Sequence, residues 1–506
     1  MEYFKIENYF ERLKSEDLVV TFHLNEKEKT DISGLTYNSK EVKEGAMFVC
    51  KGISFKQKYL KEAIAKGAVI YISETKFSLP IEIPYIIVKD IRRAMPLLGD
   101  MFYHSPSKKL NLIGVTGTKG KTTTINYVKA IIDEYLAAKK KKESGLISTI
   151  EIYDGKKRRE SSLTTPEALE VQKILGNAVD SGLEFVEMEV SSQALKYNRV
   201  SHIQYEVGIF TNISEDHISP GEHLDFNDYF ESKLKLFEQV NTAVINADAD
   251  CYNEIRATAG RCRRVVIYGK EPENDIYGYD VRYVDEELHF CVKCDAFDEA
   301  FAIRIQGDFN VENALAAIGA AYVLNIPVEY ISEGLKKAHI NGRMELYTSQ
   351  DKDIVVIVDY AHNKLSFEKL YTHAAKYYPA YQIVTIFGCP GGKAYNRRED
   401  LGTVAGQYSN KVYLVADDPG FEKPDDISRE IAKYLEEKNC SYEIIEDRGK
   451  AIKQAIMKAK SKTLILVAGK GHERRQKYGD KYMECLSDAE YVKLFLEKPK
   501  KKRMQA

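Results

Sequence analysis

One junction constrains this chain more than any other feature. The apolar run LNLIGV, ending at Val115, passes directly into TGTKGKT, from Thr116 to Thr122, and then into the helical pattern TTINYVKAIID. A strand, a glycine-rich turn and a helix start in that order gather backbone N–H groups and the positive end of a helix dipole around an anion, which is how phosphates are cradled. The junction therefore predicts an α/β domain with a mostly parallel sheet. In such a loop Lys121 is expected on the β- and γ-phosphates of ATP and Thr122 on Mg²⁺, with Gly117, Thr118, Gly120 and Thr123 completing the nucleotide contacts. The loop departs from the GxxxxGK[ST] pattern, because Val115 stands where the first glycine belongs and Gly117 supplies the turn instead.

A chain of 506 residues exceeds what one core serves and suggests about three domains. Short β-type runs (MFVCKG, AVIYIS, PYIIVKD) alternate with the helical KYLKEAIAKG at the start, predicting a small N-terminal α/β domain over 1–107. HSPSKKL then reads as a linker into a central P-loop-type domain over 108–340. From 341 to 506 a fresh alternation begins (DIVVIVDYAH, QIVTIFGC, KVYLVADDP, TLILVAGKGHE), predicting a Rossmann-like C-terminal domain with ligands at the loops after its strands. The 74 Lys and Arg nearly cancel the 76 Asp and Glu, so no global field exists to hold nucleic acid or an anionic membrane. MEYFKIENYFERL has neither a basic nor an apolar leader region, and the expectation is a cytoplasmic protein, monomeric, with no nucleic-acid or membrane partner. Eight scattered cysteines suit reduced thiols, and Cys291-x-x-Cys294 lacks the second ligand pair of a zinc site. Lys139 to Lys142 and the tail KPKKKRMQA read as solvated segments.

Beyond the loop, EMEVSSQAL carries Glu189 at the end of an apolar run, FTNISEDH carries Asp216 and His217, and DYFESKLKLF carries Lys233. If the last is a helix, Phe230, Leu234 and Phe237 share one side with Lys233 while Lys235 points elsewhere. Lys233 is therefore expected to be partly buried, and burial favours its neutral amine, the form that reacts with carbon dioxide.

TGTKGKTTT resembles the phosphate loop of the Mur ligases and of the related folate polyglutamate and cyanophycin ligases, and the Glu189, His217 and Lys233 segments resemble, in order, three segments of Mur central domains. The resemblance implies an ATP-dependent amide ligase that activates a carboxylate as an acyl phosphate for attack by an amine. It implies further that Glu189 and His217, with Thr122, hold magnesium, that Lys233 is carbamylated, and that Asn310 of GDFNVENALAA lies near the adenine. Arg343 of GRMELY matches the hinge into the last domain, and Asp359 and His362 of VDYAHN match residues that approach the ribose and phosphates.

Several pieces resemble the branch of the family that adds the third peptide residue to a UDP-linked cell-wall precursor. They imply a uridine-binding segment, Gly34 to Gly52, with Ser39 at the contact, and a muramoyl-dipeptide site with Thr164, Thr165, Ser191 and Arg199. The substrates implied are UDP-N-acetylmuramoyl-L-alanyl-D-glutamate and a free amino acid. A ligase of this fold acting on another carboxylate is the alternative, and the intact Ser39, Thr164 and Arg199 argue against it. At the amino-acid end, GKGHE is intact from Gly469 to Glu473, but the DNPR of diaminopimelate-adding enzymes reads Asp417-Asp418-Pro419-Gly420, and a second arginine is replaced by Lys393. Glycine cannot pair with a distal carboxylate, and Asp418 suits a distal ammonium, so L-lysine is expected in preference to meso-diaminopimelate.

Overall fold

The computed structural model describes residues 4–24, 29–52, 55–80, 82–216, 218, 222–284, 287–350, 353–460 and 462–496. They group into two compact units: one from Met1–Gly278, Val292–Glu299 and Glu312–Leu335, the other from Tyr279–Cys291, Ala300–Val311 and Lys336–Ala506.

The first unit carries two sheets. The smaller runs Val19–His23, Tyr85–Val88, Ala68–Ser73, Ala46–Val49, Gly34–Thr36, parallel except for its first strand. The larger contains Arg264–Gly269, Val240–Asn246, Tyr205–Phe210, Asn111–Thr116, Phe185–Glu189 and Gly145–Ile147 as consecutive parallel neighbours. The unbroken apolar run of Asn111–Thr116 follows from its central place, where both faces are covered and alternation with polar residues is excluded. Its register sets Val115 beside Glu189 on one side and Thr116 beside Phe210 on the other. Three strand ends therefore open at the start of the helix Lys121–Ala138. The helix Ile91–Phe102 packs against Ala168–Asp180, with Ala168 and Leu169 joining the apolar cluster of the smaller sheet. The expected linker is one 3₁₀ turn, Pro106–Lys109, with Pro106 and Ser107 buried.

In the second unit the sheet order is Glu345–Thr348, Ile354–Asp359, Thr463–Ala468, Gln382–Phe387, Lys411–Leu414, Ser441–Ile444, parallel throughout except for the first strand. The chain returns late to insert Thr463–Ala468 between two earlier strands, which opens a crevice at the carboxyl ends where Asp359 and Gly469 lie. An antiparallel hairpin, Arg475–Tyr478 with Lys481–Glu484, follows. All eight cysteines are free thiols, Cys291 and Cys294 included. Lys139 to Lys142 are exposed, and KPKKKRMQA lies outside the described residues. Among the described residues no helix is long and apolar enough to cross a membrane.

Candidate active site

The phosphate loop is shaped by Gly117, whose φ of +143° and close approach to Thr211 both exclude a side chain: a Cβ there would lie 2.0 Å from Thr211 Oγ1. The turn is then laced to the segment after Tyr205–Phe210. Thr118 N–H donates to Asn212 O at 2.9 Å, Lys119 N–H donates to Asn212 Oδ1 at 2.8 Å, and Thr211 Oγ1 donates to Lys119 O at 2.8 Å. Thr118 Oγ1 receives the Ser214 N–H at 3.0 Å and the Tyr229 hydroxyl at 3.1 Å. Lys121 Nζ folds back on the loop, donating to the carbonyls of Gly117 at 2.8 Å and Thr118 at 3.1 Å. Thr123 is buried at the start of the helix.

Two oxygen donors meet beside this loop. Thr122 Oγ1 donates to Glu189 Oε2 at 3.1 Å, and the fully buried Glu189 also accepts from Thr149 N–H at 2.8 Å and Thr149 Oγ1 at 3.1 Å. A hydroxyl and a carboxylate fit a hard cation such as Mg²⁺, which takes oxygen ligands. Lys119 and Asp216 form an ion pair at 3.1 Å. His217 lies outside the described residues.

Lys233 is buried more completely than the partial burial that the spacing predicts. The α-helix covers Phe226–Leu234 and tightens to 3₁₀ over Lys235–Gln239, with Phe230, Leu234 and Phe237 buried and Lys235 exposed. At 1% exposure, Lys233 Nζ donates to Gly117 O at 2.8 Å and stands 4.5 Å from the Tyr229 ring centre. Burial, reinforced by the charge of Lys121, holds its pKa well below the usual lysine range.

Thr149 also ties this corner to the predicted dipeptide site, its hydroxyl hydrogen-bonded to Thr164 Oγ1 at 3.1 Å. Thr165 Oγ1 donates to Glu189 O at 2.8 Å and accepts Ser191 N–H at 3.0 Å, and Arg199 reaches Thr165 O at 3.3 Å and Glu167 at 3.1 Å. Glu167 pairs with Lys51, whose Nζ lies 5.1 Å from the Tyr37 ring centre. The segments expected to hold the dipeptide and the uridine are thus connected through Arg199, Glu167 and Lys51. Ser39 is buried within the smaller-sheet region, its hydroxyl donating to Glu62 at 2.8 Å.

The second unit gathers two groups that share Glu473. Tyr360 donates its hydroxyl to Glu473 at 3.0 Å, carries Arg343 over its ring at 4.4 Å, and accepts at its carbonyl from His362 Nδ1 at 2.7 Å. Asp359 accepts from the backbone N–H groups of Ala361 and Met344. Lys470 is enclosed between Asp418 at 2.9 Å and Glu473 at 2.5 Å. Desolvation pushes the neighbouring Asp417 carboxyl up to about 6 despite the pull of Lys470 and Arg448. Gly469, at φ +109°, sits where a Cβ would meet Asp417 Oδ2 at 2.6 Å. Lys393 is exposed and makes no ion pair among the described residues. Asn310 is buried at the head of Phe309–Val323, donating to Gln306 O at 2.6 Å.

Residues 115–321 match the Mur ligase middle domain, and residues 342–471 match the Mur ligase glutamate ligase domain. The chain is 38% identical over 454 residues to UDP-N-acetylmuramoyl-L-alanyl-D-glutamate–L-lysine ligase of Enterococcus faecalis, covering 88% of each chain. The chain belongs to the Mur ligase family. It is also 36% identical to UDP-N-acetylmuramoyl-L-alanyl-D-glutamate–2,6-diaminopimelate ligase of Clostridioides difficile, covering 90% of this Mur ligase and 95% of that relative. Among solved structures, MurF from Acinetobacter baumannii shares the fold, with a TM-score of 0.66 at 18% identity over 93% of this chain and 96% of the other.

Sequence reading of this Mur ligase missed Thr149, which holds both Glu189 and Thr164, and the Lys119–Asp216 pair. Neither carries a local signal, since each partner is brought in by a different strand end. Glu167 and Lys470 were within reach, because both lie inside motifs singled out for other residues, LTTPEALE and GKGHE.

Proposed function

We propose that this Mur ligase joins a free amino acid, L-lysine in preference to meso-diaminopimelate, to UDP-N-acetylmuramoyl-L-alanyl-D-glutamate at the expense of ATP, in the synthesis of a peptidoglycan precursor. The observation that carries the reading is the continuity of one polar strip: Thr122, next to Lys121 in the phosphate loop, joins Glu189, which is joined through Thr149 and Thr165 to Thr164, Ser191 and Arg199. A phosphate site and a carboxylate-substrate site that share a buried glutamate suit phosphoryl transfer between the two ligands. Positioning and charge neutralisation are then most of what the protein supplies.

Lys121 and the loop N–H groups would bind the phosphates, with Arg343, Asp359, His362 and Asn310 on the nucleoside side. Thr122 and Glu189 would hold Mg²⁺, with His217 as the further ligand, and the ion supplies neutralisation of phosphate charge. A carboxylate oxygen of the glutamyl residue takes the γ-phosphoryl group and ADP leaves. The amine of the incoming amino acid, held near Glu473, attacks the acyl carbon, expelling phosphate and losing a proton. Lys233, neutral when buried, would carry the carbamate that turns this corner anionic. Ser39 would contact the uridine, and Asp417, Asp418, Gly469 and Lys393 would frame the amino-acid site. The reading divides the chain functionally at 1–107, 108–340 and 341–506 and describes a cytoplasmic monomer. Dipeptide labelled with ¹⁸O in its carboxylates tests it: label should appear in the released phosphate, and unlabelled phosphate would rule out the acyl-phosphate route.

A further inference from the structure

Three side-chain oxygens stand in a row beside the phosphate loop: Glu189 Oε2, Thr149 Oγ1 and Thr164 Oγ1, each 3.1 Å from the next. The row is fixed at its buried end. Ile147 pairs in register with Met188, which sets the residues after each strand side by side. Ser148 Oγ accepts the N–H groups of Ile150 at 3.2 Å and Glu151 at 3.1 Å, shaping the turn, and Thr149 N–H donates to Glu189 Oε1 at 2.8 Å.

A hydroxyl carries one proton and two lone pairs, and a carboxylate only accepts. Two oxygens 3.1 Å apart with no proton between them repel, so Thr149 spends its proton on Glu189. The bond between the two threonines then takes its proton from Thr164. Thr164 is left with lone pairs alone to present, and its hydroxyl makes no other hydrogen bond among the described residues. It is half-buried, whereas Glu189 is fully enclosed. A ligand that touches Thr164 Oγ1 must therefore bring a donor; a carboxylate or phosphate oxygen would meet a lone pair.

Resting on the function proposed above, we propose that Thr149 is a positioning residue that sets specificity: it makes the Thr164 hydroxyl an acceptor, and the group that docks there is the glutamyl amide N–H of the UDP-dipeptide. The carboxylates and phosphates of that substrate offer only acceptors. The glutamyl N–H is the amide donor nearest, along the covalent chain, to the carboxylate that takes the phosphoryl group.

Calorimetric titration of the full-length chain, with Mg²⁺ and a non-hydrolysable ATP analogue present, compares the UDP-dipeptide with its depsipeptide. In the latter D-2-hydroxyglutarate replaces D-glutamate, so an ester oxygen stands where the N–H was. The wild type is expected to bind the amide about tenfold or more tightly, since the ester lacks the donor and sets oxygen against oxygen. The matching ester at the alanyl nitrogen, made with L-lactate, should bind within about threefold of the amide. Thr149→Val keeps the shape but releases the Thr164 proton, which can turn to the glutamyl ester, so the tenfold ratio should fall to about threefold or less. Thr149→Ser should restore the ratio. A merely structural role would weaken amide and ester alike and leave the ratio unmoved. A wild type that binds the amide without discriminating against the glutamyl ester, that carries the penalty at the alanyl ester, or that keeps its full ratio in Thr149→Val overturns the proposal and leaves the functional reading standing. A wild type that binds neither the UDP-dipeptide nor its esters overturns both.

Discussion

Replacing Lys233 by methionine keeps the length of the side chain and removes its amine, so the variant separates what the buried nitrogen costs from what it contributes. Among the described residues the nitrogen makes one hydrogen bond, to Gly117 O at 2.8 Å, and Lys233 is 1% exposed. Losing that bond costs about 0.5–1.5 kcal/mol at any pH. Opposing it is the desolvation of the ammonium, aided by repulsion from Lys121, which holds the folded-state pKa well below the usual lysine range. Between that lowered pKa and about 10.4, the unfolded chain binds a proton that the native chain does not, so stability rises with pH. The slope from this one group reaches about 1.4 kcal/mol per pH unit and vanishes in the methionine variant. Urea denaturation in carbon dioxide-free buffer, followed by a probe in the first unit at about pH 7.5 and about pH 9, should show the wild type gaining on Lys233→Met as pH rises. Parallel stabilities of the two proteins would refute the argument from burial. Ligase activity of Lys233→Met should fall by about 10–100-fold or more if the neutral amine carries a carbamate beside the metal ligands, and added short-chain carboxylates should restore part of it.

Lys121→Ala removes the cation of the phosphate loop, and ADP release in the presence of the UDP-dipeptide should drop to background; unchanged release would sink the loop's assignment. Asp417, with its carboxyl pushed up to about 6 by burial, binds more protons when folded than unfolded between about pH 4 and about pH 6, so wild-type stability falls as pH rises through that window. Asp417→Asn removes that fall, and thermal melts should show the variant gaining on the wild type from about pH 4 to about pH 6 and by a constant margin above it; a margin independent of pH throughout would contradict the shift. In competition at equal concentration L-lysine should be used with higher kcat/KM than meso-diaminopimelate, because burying the second carboxylate without a partner costs several kcal/mol. Gly420→Arg should narrow the gap, although the φ of +58° at that position adds a strain of about 1–2 kcal/mol to the variant. A wild-type preference for diaminopimelate would show that another cation serves its distal carboxylate.

The strand, loop and helix around Thr116 to Thr122 were legible because apolar run, glycine turn and helical period are all local and agree. The burial of Lys233 was legible for the same reason, its apolar neighbours lying three and four residues away. Thr149 was not, since it sits in a short segment without periodicity and meets Glu189 forty residues away only because their strands are adjacent. The Arg448–Asp488 pair, also separated by forty residues, and the short strand Ser441–Ile444 are set by the sheet's order, and no window of sequence carries that. The motif Asp417-Asp418-Pro419-Gly420 stands out as a run of residues, but the Lys470 that meets Asp418 at 2.9 Å comes from 52 residues away along the chain, which no local window carries.

The most direct test of the account is a turnover assay in which the purified protein is given ATP, Mg²⁺, UDP-N-acetylmuramoyl-L-alanyl-D-glutamate and a panel of single amino acids. The account predicts equimolar ADP, phosphate and UDP-linked tripeptide, greatest with L-lysine and absent when the dipeptide is omitted. Release of ADP without an amide product, or no product with any member of the panel, would contradict it.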